Sequence, residues 1–299
     1  MSDTVRQSDV IYSLLRNIAL KHSICRELRG VRISRAKRGT KVTIFGEITD
    51  MIQDLHSHTH YSFCGKDNPS DIIEVAINGG IELFGICDHN YGVGFGSWSN
   101  YEAPIDVVPN RYDPLILRKY YDEISSLKDK YAGKIRLMCG IEIATDSSRV
   151  KAPLPTDADV SFFDYCLIES LARDDSTTNG DLFGFAKRCG CKNIGIAHTD
   201  MFSFISSLGE DPYCYFKRMA EQNIFWEMNV SYDSIHNYQE HKYMLEFFRN
   251  AEQQAIIRES GVRLSVGFDG HRVEDYLPER VADYCHRITE MGIRMAFEE

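Results

Sequence analysis

No stretch of the 299-residue sequence approaches the roughly 18 consecutive apolar residues that a membrane-spanning helix needs. The opening MSDTVRQSDVIYSLLRNIAL also lacks the hydrophobic block of a signal peptide, so the expectation is a cytoplasmic protein with no membrane partner. Positive charge is scarce: 34 Lys and Arg stand against 44 Asp and Glu, a net charge of -10. No overall basic field exists to hold nucleic acid, which argues against such a partner. No Pro/Ser linker, internal repeat or low-complexity tract divides the chain. The nine cysteines are odd in number and scattered, which does not read as a disulfide framework and fits a reducing compartment. Cys189-Gly-Cys191 is too short a pair to specify zinc by itself.

What is present falls into two parts. Residues 8–28 carry Ile11, Leu14, Leu15, Ile18 and Leu20 at helical spacing, and residues 32–48 look like two short strands around a basic turn. Residues 1–50 are therefore expected to form an N-terminal extension packed on the remainder, residues 51–299. Its helix could cover a barrel floor or pair two chains, so the oligomeric state stays open. From Met51 onward, short apolar runs alternate with helical stretches. The runs are 51–56, 81–88, 135–142, 164–170, 193–198, 224–229 and 263–269, each unbroken by proline, as strands buried on both faces tend to be. Helices are expected over 69–79, 114–131, 179–189, 212–222, 238–260 and 278–291, several of them opened by proline and closed by glycine. Seven strands alternating with helices predict a closed or nearly closed parallel α/β barrel, with an open doubly wound sheet as the competing arrangement.

A barrel brings every strand's C-terminal end to one mouth, and that is where the chemistry-bearing residues fall. His56 and His58 follow the first strand, and Asp88 and His89 the second. Glu142 closes the third and His198 the fifth, and Asp269 and His271 follow the seventh. His22, His60, His236, His241 and His286 fall in helices or loops. Side chains alternate along a strand with period two, so His56 and His58 point the same way. His56, His58, His89, Glu142, His198, Asp269 and His271 make seven candidate ligands. One catalytic zinc uses about three protein ligands, so seven imply two ions or more, with a carboxylate such as Glu142 or Asp269 between them. Imidazoles mixed with carboxylates suit zinc, iron(II) or manganese(II). Asp54 and Asp88, beside ligand histidines, are expected to accept hydrogen bonds rather than ligate.

These residues resemble the PHP (polymerase and histidinol phosphatase) family of metal-dependent phosphoesterases. The resemblance lies in Asp54-Leu55-His56-Ser57-His58-Thr59 with Ser62, Gly85-Ile86-Cys87-Asp88-His89, Gly140-Ile141-Glu142, Ile196-Ala197-His198 and Gly267-Phe268-Asp269-Gly270-His271. It implies a distorted seven-stranded (β/α)7 TIM-like barrel with two or three divalent ions at its mouth and Glu142 bridging them. Glu142, Asp269 and His271 would then be the catalytic members of the set. Two positions depart from the family pattern. Cys64 stands where Asp or His is usual, and Glu169 lies in the strand-four segment that otherwise supplies a histidine. Both are candidate ligands, and with them the third ion is in question.

The resemblance implies hydrolysis of a small phosphomonoester, such as histidinol phosphate or a sugar or nucleotide phosphate, by a metal-activated hydroxide. Lys66, Arg149, Arg173 and Arg272 follow strand-end motifs and are candidates to bind the phosphate, as is Asn229 by hydrogen bonding. The long glycine- and aromatic-rich segment 90–112 is expected to act as a substrate-recognition loop. Two other readings are carried forward. One is an amidohydrolase-like metal-dependent C–N or C–O hydrolase, which commonly has a bridging lysine where this chain has Glu142. The other is a non-catalytic, metal-stabilised binding module.

Overall fold

A computed structural model describes residues 51–62, 64–90, 114–147, 154 and 158–298. They belong to one of two units of the chain, Ile48–Glu299. The expected N-terminal extension, residues 1–50, lies outside the described residues, as does nearly all of the expected recognition loop.

Seven parallel strands pair in chain order: β1 (Gln53–Asp54), β2 (Leu83–His89), β3 (Arg136–Ala144), β4 (Tyr165–Glu169), β5 (Ile194–Ile196), β6 (Ile224–Asn229) and β7 (Leu264–Gly267). The ends of this sheet meet just beyond β1. Leu55 N–H donates to Val266 O at 2.9 Å, Asp269 N–H to His56 O at 2.7 Å and His58 N–H to Gly270 O at 2.7 Å. The result is the nearly closed α/β barrel that the alternation predicts, not an open sheet. Every residue of β2, β4, β5, β6 and β7 is buried, which is why these strands read as continuous apolar runs rather than alternating ones.

Helices cover the outside: α1 (Pro69–Asn78), α2 (Pro114–Lys130), α3 (Leu182–Cys189), α4 (Met201–Ser207), α5 (Pro212–Glu221), α6 (Lys242–Phe247), α7 (Ala251–Ser260) and α8 (Pro278–Glu290). Two differ from expectation. The stretch 238–260 is not one helix, because Asn250 takes an extended conformation and its side chain accepts hydrogen bonds from Glu252 and Gln253 N–H, starting α7 afresh. The helix α4 was not anticipated, although Asp200 caps it through Ser203 N–H and Met201, Phe204 and Ile205 follow at core-facing spacing. Ile141, Ile168, Trp226, Phe216 and Ile288 belong to the main core, between strands and helices. Fully burying side chains of this size contributes roughly 1.5–3 kcal/mol each, which offsets the cost of a polar layer inside the barrel.

The interior is built in two levels. Leu55, Leu83, Met138, Tyr165, Leu167 and Phe225 form a separate apolar cluster, with Phe297 set edge-on to Tyr165 and Phe225. The C-terminal segment joins this floor by hydrogen bonds, Gln53 Nε2 donating to Ala296 O and Ala296 N–H to Leu264 O, both at 2.6 Å. Tyr165 crosses the barrel to donate its hydroxyl to Leu55 O at 2.6 Å. Its ring occupies the space left by Gly140, where an added Cβ would come within 2.4 Å of Tyr165 Cζ. Gly140 therefore permits the floor on which Glu142, two residues further along β3, stands.

Gly140→Ala should overpack this floor, costing about 1–3 kcal/mol and lowering Tm by roughly 2–12 °C. Differential scanning calorimetry of the full chain checks this. An unchanged Tm would mean that the Tyr165 ring does not depend on the missing side chain.

Candidate metal centre

Above the apolar floor, the strand ends converge on the carboxylate of Glu142, which is fully buried. The parallel register sets His89 of β2 directly against Glu142 of β3. Four imidazoles face this one carboxylate: His89 Nδ1 at 2.9 Å, His198 Nε2 at 3.1 Å, His56 Nε2 at 3.3 Å and His58 Nε2 at 3.5 Å. Asp269 Oδ1 closes the other side, 3.1 Å from His58 Nε2 and 3.6 Å from His56 Nε2. Glu169, at the end of β4, places Oε1 3.3 Å from His89 Nδ1. Residues from six strand ends, those of β1 to β5 and β7, thus meet in one pocket.

Surrounding groups fix which imidazole nitrogen faces the pocket. Glu227, on β6, accepts a hydrogen bond from His56 Nδ1 at 2.7 Å; a carboxylate cannot donate, so His56 carries a proton there and presents Nε2 inward. Ser62 donates to Asp88 and accepts from His58 Nδ1 at 3.2 Å, so His58 also presents Nε2. Asp88 further accepts from Thr59 N–H and Oγ1–H, both at 2.8 Å, and thereby holds the turn that carries His58. His271 Nδ1 donates to Asp269 O at 2.7 Å, leaving its Nε2 available. His198 and Asp269 adopt positive φ angles of 23° and 56°, conformations that persist only where contacts over-determine them. Here His198 N–H donates to Glu227 Oε2 at 2.8 Å, and Asp269 N–H is tied to His56 O.

The PHP domain family matches residues 54–270, most of the chain. The chain belongs to the PHP domain family. With membership comes the general activity, metal-dependent hydrolysis of phosphate esters. A comparison with curated proteins found none that matches. Among solved structures, a histidinol phosphate phosphatase from Lactococcus lactis, complexed with zinc, L-histidinol and phosphate, is 14% identical, covering 82% of this chain and 95% of its own, with a TM-score of 0.49. A Listeria monocytogenes protein taken for a histidinol phosphatase is 13% identical over 82% and 93% of the two chains, at 0.36. An endo-alpha-mannosidase from Bacteriodes thetaiotaomicron is 10% identical over 80% and 98%, at 0.37.

The donor set of this PHP domain fits divalent cations. The ligand atoms of His56, His58 and Asp269 lie within 4.8 Å of one another, as do those of His89, Glu142 and Glu169. Glu142 Oε2 and Glu169 Oε1 are buried and accept no hydrogen bond. Two imidazole nitrogens, His56 Nε2 and His58 Nε2, approach to 3.2 Å with both rings already committed through Nδ1. Such facing lone pairs need a proton or a metal ion between them. Without metal, protons take that place. Burial opposes charge on His56, yet the field of Glu142, Asp269 and Glu227 holds its pKa well above the ordinary value. His198 is raised to about 9, burial again being overcome by its hydrogen bond to Glu142. Burial disfavours the charged form of Glu142, but His56 and His89 hold its pKa well below the carboxylate range.

The other predicted residues divide. Cys64 is buried, with its sulfur within 4.8 Å of the ligand atoms of His58 and His89, while burial pushes its thiol pKa up. Asn229 is buried beside the centre and donates to Asp269 Oδ2 at 3.3 Å and Glu227 Oε2 at 3.4 Å, so it braces carboxylates. Lys66 lies at the rim, where its N–H donates to His271 O, but its ammonium pairs with Glu274 at 3.1 Å. Arg272 is half-buried next to His271. Arg173 is exposed and turned to Asp175 at 3.0 Å and Asp146 at 3.5 Å. Arg149 lies outside the described residues.

Four residues of the site were not anticipated. Glu227 is the buried acid against His56. Asp233 and His236 lie on the loop after β6, with His236 Nε2 3.2 Å from Asp269 Oδ2. His241 stacks on His198 at 6.0 Å, and burial lowers its pKa to about 4. The one sequence signal was Glu227 itself, an acid inside the apolar run IFWEMN, two residues from Asn229 and therefore on the same face.

Two outcomes follow. Glu227→Gln should weaken metal binding about 10–100-fold, because one amide oxygen cannot replace the two charged acceptors that hold His56 Nδ1–H and His198 N–H; titration calorimetry reads it, and unchanged affinity would remove Glu227 from the centre. Metal-free protein should lose stability as pH rises. A histidine with a folded pKa above its unfolded value of 6.5 stabilises fully below that value and ceases to as pH passes the folded pKa, about 9 for His198 and about 10 for His236, where burial is outweighed by Asp269 and Asp233. Urea midpoints at constant ionic strength should fall from pH 6.5 to 9 without metal and fall less with saturating manganese; parallel curves would contradict the proton-for-metal exchange.

Proposed function

We propose that this PHP domain hydrolyses small phosphomonoesters such as histidinol phosphate or a sugar or nucleotide phosphate, using two divalent ions drawn from zinc, manganese and iron. The observation that carries the reading is the single buried carboxylate of Glu142 faced by four imidazoles. His56, His58 and Asp269 would hold one ion and His89, Glu169 and His198 the other, with Glu142 within reach of both sets. Bound there, the ions supply Lewis acidity, lowering the pKa of water to about 7 and neutralising charge on phosphoryl oxygens.

The chain's own residues do the rest. Glu227, Ser62 and the Asp269 carbonyl hold the protons of His56, His58 and His271 on Nδ1, so that each ring offers Nε2 to the pocket. The apolar floor formed by Leu55, Tyr165 and Phe225 excludes water from below. Lys66 and Arg272 flank His271 at the rim and supply the cations for the substrate's phosphate. The Lys66–Glu274 pair is solvent-exposed and such pairs contribute about 0–1 kcal/mol, so Lys66 exchanges partners at little cost. A net charge of -10 supports a small anionic substrate over a polymeric one, since the chain has no overall basic field to hold a phosphodiester backbone. The carboxylate Glu142 at mid-barrel, where an amidohydrolase commonly has lysine, favours the phosphoesterase over the C–N or C–O hydrolase.

Hydrolysis of an aryl phosphate, an aryl ester and a lactone, each with added manganese or zinc, tests the reading. The aryl phosphate should turn over, chelation should stop it, and Glu142→Gln should lower kcat/KM by about 1000-fold, the equivalent of about 4 kcal/mol of barrel-mouth electrostatics. Turnover of the ester or lactone alone would replace this function with the amidohydrolase-like one. Bound metal with no turnover of any of the three would leave a binding module.

A further inference from the structure

The end of the barrel opposite the metal centre carries a concentration of charge of the other sign. A cleft of about 470 Å³ opens there, within the size range of small-molecule sites. Its cations come from three places: Lys217 on α5, Arg263 immediately before β7, and Arg294 in the C-terminal segment. Two of them are anchored through the sheet. The Arg263 carbonyl accepts from Trp226 N–H and the Arg294 carbonyl from Leu264 N–H, both at 3.0 Å, which fixes their backbones at the starting ends of β6 and β7.

What the cleft lacks is a counter-charge. Elsewhere Lys66, Lys128, Arg173, Arg218, Arg280 and Arg287 each pair with a carboxylate. Among the described residues, Lys217, Arg263 and Arg294 pair with none, although the chain has an excess of ten acids. Two acids also line the cleft, but Glu298 turns Oε2 to Met295 N–H at 3.0 Å, and Glu221 forms no ion pair with the three cations. The two guanidinium groups donate to neutral oxygens, Arg263 to Asn223 Oδ1 and Arg294 to Gly261 O. A guanidinium carries several N–H donors in a planar fork, so most of them stay open. Arg263 is half-buried, and burial together with the nearby Arg294 charge lowers its pKa. Arginine keeps its proton at ordinary pH, so the pair remains doubly charged and an anion between the two relieves the repulsion.

We propose that Lys217, Arg263 and Arg294 form an oxyanion site at the floor end of the barrel, taking a phosphate group that is free or carried by a small molecule. Guanidinium forks bind phosphate oxygens in pairs, and an ammonium adds a point charge. The cleft is larger than a bare phosphate ion and leaves space for an attached organic group. The apolar floor of Leu55, Tyr165 and Phe225 separates it from Glu142, so the site stands independently of the hydrolytic reading of the mouth.

Titration calorimetry of the metal-free full chain with inorganic phosphate and, separately, with phenyl phosphate tests this at low ionic strength. Saturable binding of one anion per chain is expected. Arg263→Gln and Arg294→Gln should each weaken it about 10-fold or more, and added salt should weaken it further. Tighter binding of the ester would assign the site to a small phosphorylated molecule and tighter binding of the free ion to phosphate itself, either result upholding the site. Thermal unfolding supplies a second readout: phosphate should raise Tm of the unsubstituted chain but not that of Arg294→Gln, whose side chain is exposed and not needed for folding. Equal phosphate affinity in the unsubstituted chain and both arginine variants would place the anion elsewhere and overturn the proposal. Heats that never saturate, the mark of an adventitious ion only, would overturn it too.

Discussion

The arrangement depends on one buried carboxylate that cannot be left alone. Glu142 lies at the centre of the barrel, shielded from water, and an isolated ionised carboxylate in such a place costs many kcal/mol. The four imidazoles around it are what make the charge tolerable, and they do so in either of two conditions. When they bind protons, Glu142 is paired with imidazolium; when they give those protons up, their lone pairs and the carboxylate together require a cation. The pocket is thus stable only when something positive occupies it, and the choice between proton and metal is a matter of pH and metal concentration.

A carboxylate serves as such a hub only if its partners cannot turn away, and much of the chain near the mouth is spent on that. Glu227 holds His56 and the backbone of His198; Asp88 holds Ser62 and Thr59, and through Ser62 orients His58. Asp54 accepts from His56 N–H, Phe268 N–H and the Tyr276 hydroxyl, and burial raises its pKa to about 6. Below, Gly267 leaves room for both His56 and Glu227, since a side chain there would meet the His56 Cβ at 2.6 Å. The outer groups are polar and buried, which is expensive, and the apolar shell between strands and helices supplies the offset. His89, Glu142 and Glu169 stand on strands, and His56, His58, His198 and Asp269 follow within four residues of a strand end, which keeps nitrogen and oxygen atoms close enough to share ions.

Where the sequence was legible, the reason is geometric. Strands buried on both faces must be apolar throughout, so seven runs stand out, and a parallel barrel delivers the residue after each run to one mouth. His56, His58, His89, Glu142, His198, Asp269 and His271 could be placed together from that alone. The illegible part lies in loops and in distant surface pairs. Asp233 and His236 follow β6 by several residues in a turn without periodicity, so nothing in their spacing distinguishes them from solvent-facing residues, and only the folded turn returns them to Asp269. The same holds for Lys66, whose counter-charge Glu274 is remote in sequence. The single helix expected over 238–260 failed for a local reason, since hydrophobic periodicity runs through Asn250 although its side chain caps a new start.

The charge of the pocket has a final consequence for substrate binding. Glu142, Glu169, Glu227, Asp233 and Asp269 place five carboxylates around the centre, in a chain whose net charge is already -10. Neutral imidazoles do not balance them, so a phosphate approaching the metal-free, deprotonated site meets repulsion at close range, where screening by salt is weakest. Cations in the pocket reverse that sign locally without altering the acidic exterior. Phosphate affinity is then not a property of the protein alone but of protein and metal jointly. Because binding free energies are reciprocal, a phosphate that binds only the loaded centre must tighten the hold of that centre on its ions by the same factor. An acidic surface, which might be taken as evidence against an anionic substrate, is therefore compatible with one, and it makes occupancy by metal and occupancy by substrate rise together.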